Sequence, residues 1–406
     1  MAISFEMIGK LTLPKETETF KNYEEKEYAS GWVNKTLNMN LISGDNRFML
    51  RARGGYFKDG HGDIYLFSKD TFDDNGKKIK GSAFTIPYKE RLTHPRLSEV
   101  VEWKKYVVDL ETPGLRWQLQ SALNKVKEGG ELTEEEVAKF GASDVKGLET
   151  ALDKSQKKRK EFVAEADFVD FMHKVMVSGK YTGKKFKISG SYDMQYDEEK
   201  DRWYCNYVPQ RVYLADDEAE ETATASVTLY YSEGAVVDAK EEKNKYYVNG
   251  YVQVYDSAKK KNVFAPYTVA IDTDDNEKKV AKLVDMFTVE NDSVKELGVV
   301  VTLLDGAQRK KIEFEDLDDE TQENILFGLT TLEDVVRSLG GNVYGERITE
   351  NRFSKLGYGY SKGAEDTAYT SDNFVMKSAA DTNAFEETES DDESSLFDDE
   401  DDDLFN

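Results

Sequence analysis

Between residues 47 and 53 apolar and basic side chains alternate. Phe48, Leu50 and Ala52 fall on one face, and Arg47, Met49, Arg51 and Arg53 on the other. That period of two predicts a half-buried strand with three guanidiniums on its outer face. Gly54-Gly55 is expected to end it. Ile64 to Phe67 reads as a second strand, Asp74-Asn75-Gly76 as a turn, and Lys80 to Tyr88 as a third strand before His94-Pro95 breaks the run. From Leu115 to Gly179 the period becomes helical. Thr133 followed by Glu136 fits a capping box, and one long helix is expected from about Ser143 to Ser178. Strands resume at Lys184. Phe186, Ile188, Gly190 and Tyr192 share a face opposite Lys185 and Lys187. After a turn at Asp197 to Asp201, Trp203, Cys205 and Tyr207 alternate with Tyr204 and Asn206.

These patterns predict a mainly β chain with α insertions. A sheet domain over 1–214 is interrupted by a helical insertion at about 115–179. Residues 215–223, rich in acids and poor in apolar side chains, read as a linker. A second β-rich domain follows over 224–357. There Tyr246, Val248, Val252 and Val254 alternate with Tyr247, Tyr251 and Tyr255, and Val299 to Leu304 gives a central strand. Short helices are expected near Asp319–Leu326 and Thr331–Leu339, and a last strand at Arg347 to Leu356. From 358 to 406 the composition predicts a disordered acidic tail. No repeat of fixed period is visible.

Charge sharpens this division. The chain of 406 residues carries 55 Lys+Arg against 80 Asp+Glu, a net charge of −25. Thirteen of the acids and none of the cations lie from Ser378 onward, so residues 1–377 hold 55 basic and 67 acidic residues. An acidic body counts against a general nucleic-acid binder and leaves room only for focused basic patches. No stretch approaches the ~18–20 apolar residues of a membrane span, and Met1 to Thr19 lacks the pattern of a secretory signal. The single cysteine, Cys205, excludes an internal disulfide or a multi-cysteine metal site and points to a reducing cytoplasm.

Two clusters interleave cations with aromatics on strands. One is Arg47, Arg51, Arg53, Tyr56 and Lys58. The other is Lys184, Lys185, Lys187, Trp203, Tyr204 and Arg211. Cations on phosphates with aromatic faces under bases are what holds single-stranded nucleic acid. Ordinary sheet core with solvent-facing cations would give the same pattern. The acidic tail embeds Leu396-Phe397 and Leu404-Phe405. Phe397, Asp401, Asp402, Asp403, Leu404 and Phe405 suit docking, with the phenyl ring in a pocket and the carboxylates against cations around it.

The third constellation is enzymatic. Asp109 and Glu111 close an apolar strand as D-x-E-T, the first motif of Mg²⁺-dependent 3′–5′ exonucleases. No convincing set of further carboxylates accompanies them, so a strand-to-helix junction is the simpler reading. His61, His94 and His173 are isolated, and no metal or cofactor is expected.

Taken together, the interrupted sheet domain, the cation–aromatic strands and the terminal Asp-Asp-Asp-Leu-Phe-Asn resemble the single-stranded DNA-binding proteins of tailed bacteriophages. Lys157–Gly190 (KKRKEFVAEADFVDFMHKVMVSGKYTGKKFKISG) and Arg202–Ala215 (RWYCNYVPQRVYLA) are most similar to them. The tip ends Leu-Phe-Asn where related tips end in Phe. The resemblance implies OB-fold-like barrels, the first carrying the helical insertion. It also implies protection of single-stranded DNA during phage replication, recombination and repair in the host cytoplasm, no enzymatic activity, and replication and recombination proteins recruited through the tail. An acidic scaffold that binds basic proteins without DNA is the competing reading.

Overall fold

The computed structural model describes residues 3–374 apart from 74, 198–199, 201, 257–260, 274–275, 291–292, 310–313, 315–316, 333, 336–343 and 362. The chain is mainly β and forms two compact units. The N-terminal unit is Ala2–Leu41 with Met49–Thr222. The C-terminal unit is Met1, Ile42–Phe48 and Ala223–Asn406.

The N-terminal unit opens with β1 (Ser4–Thr12), β2 (Tyr23–Glu27), β3 (Trp32–Ser43) and β4 (Asn46–Phe57). Its last two strands are β11 (Lys185–Asp197) and β12 (Arg202–Leu214). β3 lies between β1 and β4, β1 pairs antiparallel with β11, and β11 pairs antiparallel with β12. β12 then runs parallel to β4, with Tyr207 opposite Leu50. The order β1-β3-β4-β12-β11 thus returns to β1. Met7, Leu37, Met39, Leu50 and Ile188 point inward and are fully buried. This is the alternation expected when one sheet face supplies the core.

Everything between β4 and β11 is inserted: β5 (Asp63–Phe67), β6 (Thr71–Phe72), β7 (Lys78–Ile79), β8 (Ala83–Pro87), β9 (Tyr106–Asp109), α1 (Leu115–Lys127), α2 (Glu134–Phe140), α3 (Val145–Lys157), β10 (Arg159–Phe162) and α4 (Glu165–Val177). β5 pairs with β8, and β6 with β7. The Thr133–Glu136 capping box is present. The single long helix expected from Ser143 to Ser178 is instead two helices separated by β10. The reason lies in β9, whose Val107 and Val108 are fully buried. Its free edge needs backbone partners, and Arg159–Phe162 supply them as an antiparallel strand.

Gly54-Gly55 likewise does not end β4, which runs on to Phe57. A β-carbon at Gly54 would stand 2.4 Å from the Ala166 amide nitrogen, so the glycine lets α4 pack directly on the strand.

The C-terminal unit contains β13 (Thr222–Tyr231), β14 (Val236–Ala239), α5 (Lys240–Lys243), β15 (Lys245–Asp256), β16 (Lys261–Asp272), α6 (Glu277–Phe287), β17 (Lys295–Arg309), α7 (Asp319–Leu326), β18 (Tyr344–Leu356) and β19 (Glu365–Asp366). β13 pairs with β15 and β17, β15 with β16, and β17 with β18. β16 runs parallel to β18, with Ala270 opposite Arg352. The order β13-β15-β16-β18-β17 therefore repeats the N-terminal order strand for strand, including the parallel third–fifth contact. A helix precedes the fourth strand in both units, α4 in one and α6 in the other.

The chain beyond Gly357, expected to be disordered, is folded through Phe374. β19 pairs with β17, the Tyr360 hydroxyl donates to Glu296 at 2.8 Å, and Phe374 is buried. The tail residues Phe397, Asp401, Asp402, Asp403, Leu404 and Phe405 lie outside the described residues, as does most of the helix expected near Thr331–Leu339. Among the described residues no helix is long and apolar enough to cross a membrane.

Candidate nucleic-acid interface

The outer face of β3 and β4 follows directly from their alternation. Phe48, Leu50 and Ala52 enter the core, so Arg51 and Arg53 must face out. On β3, Val33, Leu37, Met39 and Leu41 are buried, which turns Trp32, Asn34 and Thr36 to the same outer face as the arginines. Glu24 and Lys26 from β2, with Tyr28 just beyond it, complete an open cavity of about 650 Å³ that Arg51, Arg53 and Trp32 line.

Electrostatically this face is incomplete. Arg51 is half-buried, and its Nε is buried with no hydrogen-bond partner among the described residues. Burial, and then the neighbouring Arg53 charge, lower the Arg51 pKa; Glu24 opposes them. Two guanidiniums side by side, with no carboxylate bonded to them among the described residues, leave an excess of positive charge in the middle of the face. Lys26 adds a third cation, its Nζ 5.4 Å from the Tyr28 ring centre.

Aromatic rings border these charges. Trp32 meets Phe57 edge-on at 5.0 Å, and Phe57 stacks on His61 at 3.9 Å. The β11–β12 hairpin supplies more. Asp193, opposite Asn206 in the register, feels the Arg53 charge, although burial dominates and raises its pKa. Tyr204 and Arg202 project from the side of the hairpin that carries Asp193, with the guanidinium 4.3 Å from the phenol ring centre. Trp203 projects from the opposite side, 5.3 Å from Tyr196. The Tyr204 hydroxyl and the Trp203 Nε1 are both buried without a hydrogen-bond partner among the described residues.

The other sequence-predicted cations are engaged within the chain. Lys58 pairs with Glu27 at 2.8 Å, Lys184 with Asp217 at 2.7 Å, and Lys187 with Glu6 at 2.9 Å. Lys185 donates to the Ala219 carbonyl at 2.8 Å, and Arg211 to the Glu102 carbonyl at 3.0 Å. Tyr56 lies on the core side of β4, stacked with Tyr88 at 5.5 Å and under Lys35. Arg47 is exposed but lies in Ile42–Phe48, which belongs to the C-terminal unit. The structure thus gathers Arg51 and Arg53, sets Tyr204 on the neighbouring hairpin, and disperses the rest. Trp32, Tyr28, Lys26 and Phe57 were missed. The alternation of Trp32, Asn34 and Thr36 with Val33, Lys35 and Leu37 was the available signal.

The corresponding face of the C-terminal unit, on β15 and β16, is closed by its own chain. Phe374 stacks on Tyr251 at 4.4 Å and 10°, Phe264 packs against Tyr369 at 5.1 Å, and Gln253 donates to the Tyr369 hydroxyl. Its cations are spent: Lys245 pairs with Glu350 at 2.6 Å and Arg352 with Asp272 at 3.1 Å.

Asp109 and Glu111 are buried and neutralised in place. Arg116 grips Asp109 with two nitrogens, and Lys158 pairs with Glu111 at 2.9 Å. Burial opposes both carboxylates, yet the cations and hydrogen bonds around them hold both pKa values below the ordinary carboxylate range. No group of three or more His, Cys, Asp or Glu suited to a metal occurs among the described residues.

No protein-family model and no curated protein matches the chain. Among solved structures it is similar to the wild-type single-stranded DNA binding protein from Thermus aquaticus. The TM-score is 0.30 at 6% identity, over 87% of this chain and 91% of that one. A deletion mutant of the same protein gives a TM-score of 0.27 at 7% identity, over 87% and 93%. Superpositions this loose carry no weight for ligand or mechanism, which rest on the strand pairings and side chains above.

Proposed function

We propose that the protein binds single-stranded DNA with little sequence preference through the β3–β4 face of its N-terminal unit. The observation that carries this reading is Arg51 beside Arg53, partly desolvated, without a bonded carboxylate among the described residues, and lining one cavity with Trp32. Phosphate oxygens would offset the excess of positive charge, and bases would lie on the rings of Trp32, Tyr28 and Tyr204. Both strand orders support the reading of OB-fold-like barrels, a fold whose second–third strand face and fourth–fifth connection bind oligonucleotides. In the N-terminal unit those parts are β3, β4 and the β11–β12 hairpin. The closed β15–β16 face favours one binding face over two.

In this reading the protein coats single strands during phage DNA replication, recombination and repair. It performs no chemistry, and its acidic tail recruits replication proteins. A salt titration with oligo-dT, followed by tryptophan fluorescence, tests it. Binding should weaken steeply with salt, and Arg51→Ala/Arg53→Ala should flatten the slope by at most about 1.4, roughly 0.7 for each lost phosphate. A parent protein that leaves oligo-dT free at low salt would instead favour the acidic scaffold.

A further inference from the structure

The insertion carries a second aromatic surface that neither the β3–β4 face nor the core uses. Trp103 and Tyr65 are more than half exposed, at 57% and 56%. Phe67 joins them, its ring centre 5.2 Å from each. Lys104 stands over this group, 5.5 Å from the Trp103 ring and 5.7 Å from Phe67, and no ion pair involves it among the described residues. Tyr65, Trp103 and Lys104 line a cleft of about 490 Å³. Trp32 and Phe57 line both this cleft and the cavity that holds Arg51 and Arg53.

From this continuity we infer that the cleft is a second stacking subsite on the same path, taking one or two unpaired bases of a strand already held on the β3–β4 face. The inference rests on the single-strand reading above. Three features fit a nucleotide. The rings offer flat apolar faces to solvent, where a core would have buried them. Lys104, in no ion pair among the described residues, sits beside the rings, where a phosphate between stacked bases would lie. The cleft volume falls within the ~300–1,000 Å³ of small-ligand pockets. The insertion thereby lengthens the path beyond the barrel itself.

Two oligo-dT lengths separate this inference from the reading it rests on. A strand of about 6 nucleotides stays within the ~4–16 nucleotides of a single barrel face, and one of about 25 extends past it. Trp103→Ala/Tyr65→Ala should bind the short strand like the parent and the long strand at least about 5-fold more weakly, up to about 160-fold if one stacked base is lost and further if two are. Lys104→Glu should show the same length-selective loss without touching the packing, so it decides the matter if the double variant misfolds. Photo-crosslinking of the long strand, substituted with 5-iodouracil, should label the peptide containing Trp103. If the Arg51/Arg53 variant loses both strands while the Trp103/Tyr65 and Lys104 variants bind both like the parent, and no label reaches Trp103, the subsite is refuted and the β3–β4 face stands. If the parent binds neither strand, both fall.

Discussion

Gly55 and Trp32 compete for one space: a β-carbon on Gly55 would stand 2.3 Å from the indole ring. The missing side chain lets the indole lie across β4, where it walls both cavities of the N-terminal unit. Gly55→Ala should therefore displace Trp32 rather than unfold the strand. Overpacking of this kind costs about 1–3 kcal/mol. Oligo-dT affinity should fall by the contribution of about one stacked base, ~1–3 kcal/mol. Fluorescence quenching by oligo-dT should shrink in parallel, and full quenching with unchanged affinity would show that Trp32 takes no part.

Arg51 and Arg53 predict a trade between stability and binding. In the free protein Arg51 is partly desolvated, and the Arg53 charge beside it adds to the cost of charging it. Arg51→Met keeps the aliphatic packing and removes that repulsion. It should leave thermal stability unchanged or raise it by up to about 1 kcal/mol, while weakening oligo-dT. Thermal melts and titrations of the same preparation check it. A variant that is destabilised and binds normally would make Arg51 a structural residue.

Asp109 and Glu111 predict acid sensitivity. Their folded-state pKa values lie below the unfolded ones, so the stability they supply is complete above the ordinary carboxylate range. It is lost as pH falls through that range towards the folded values. Asp109→Asn should flatten the acid limb of a stability-against-pH curve. Asp109→Ala should cost about 3 kcal/mol by leaving Arg116 unpaired. Neither should alter binding of oligo-dT at neutral pH. Mg²⁺-dependent degradation of labelled single strands by the parent, absent in the alanine variant, would turn the site into a nuclease.

Much of the fold was legible because burial imposes period two. The alternation at Phe48, Leu50 and Ala52 placed Arg51 and Arg53 correctly on the outer face of β4. Three features were not legible, each for a physical reason. Gly54 and Gly55 look like a strand end because close approach and turning use the same residue. Arg159–Phe162 look helical because their strand character comes from the edge of β9, a partner distant in sequence. The shared strand order of the two units is hidden because residues 58–184 separate the third and fourth strands in one unit, against 273–294 in the other. The site was half-visible. Ion pairing decides which cations are available, and Lys58, Lys184 and Lys187 look as free in sequence as Arg53 does.

The C-terminal segment predicts two separable effects. Residues from Ser378 onward bring thirteen carboxylates and no cation. Covalent attachment would hold them at an effective concentration of order millimolar beside any basic face of the same chain. Deleting 378–406 should tighten oligo-dT binding, most at low salt, because screening weakens the competitor. Leu404→Ala/Phe405→Ala keeps the charge and should leave DNA affinity unchanged while abolishing partner recruitment. Phe374 acts differently. It lies before the tail, buried on Tyr251 and Phe264. Phe374→Ala should cost about 3 kcal/mol in thermal or urea unfolding. It bares an aromatic face whose neighbouring cations, Lys245 and Arg352, are already paired, so DNA affinity should not rise. If Phe374→Ala tightens oligo-dT as much as tail deletion does, the β15–β16 face is a second DNA site held shut by this segment. If tail deletion leaves affinity unchanged at both low and moderate salt, the carboxylates do not compete for the arginine face, and only the proposed recruitment is left to test.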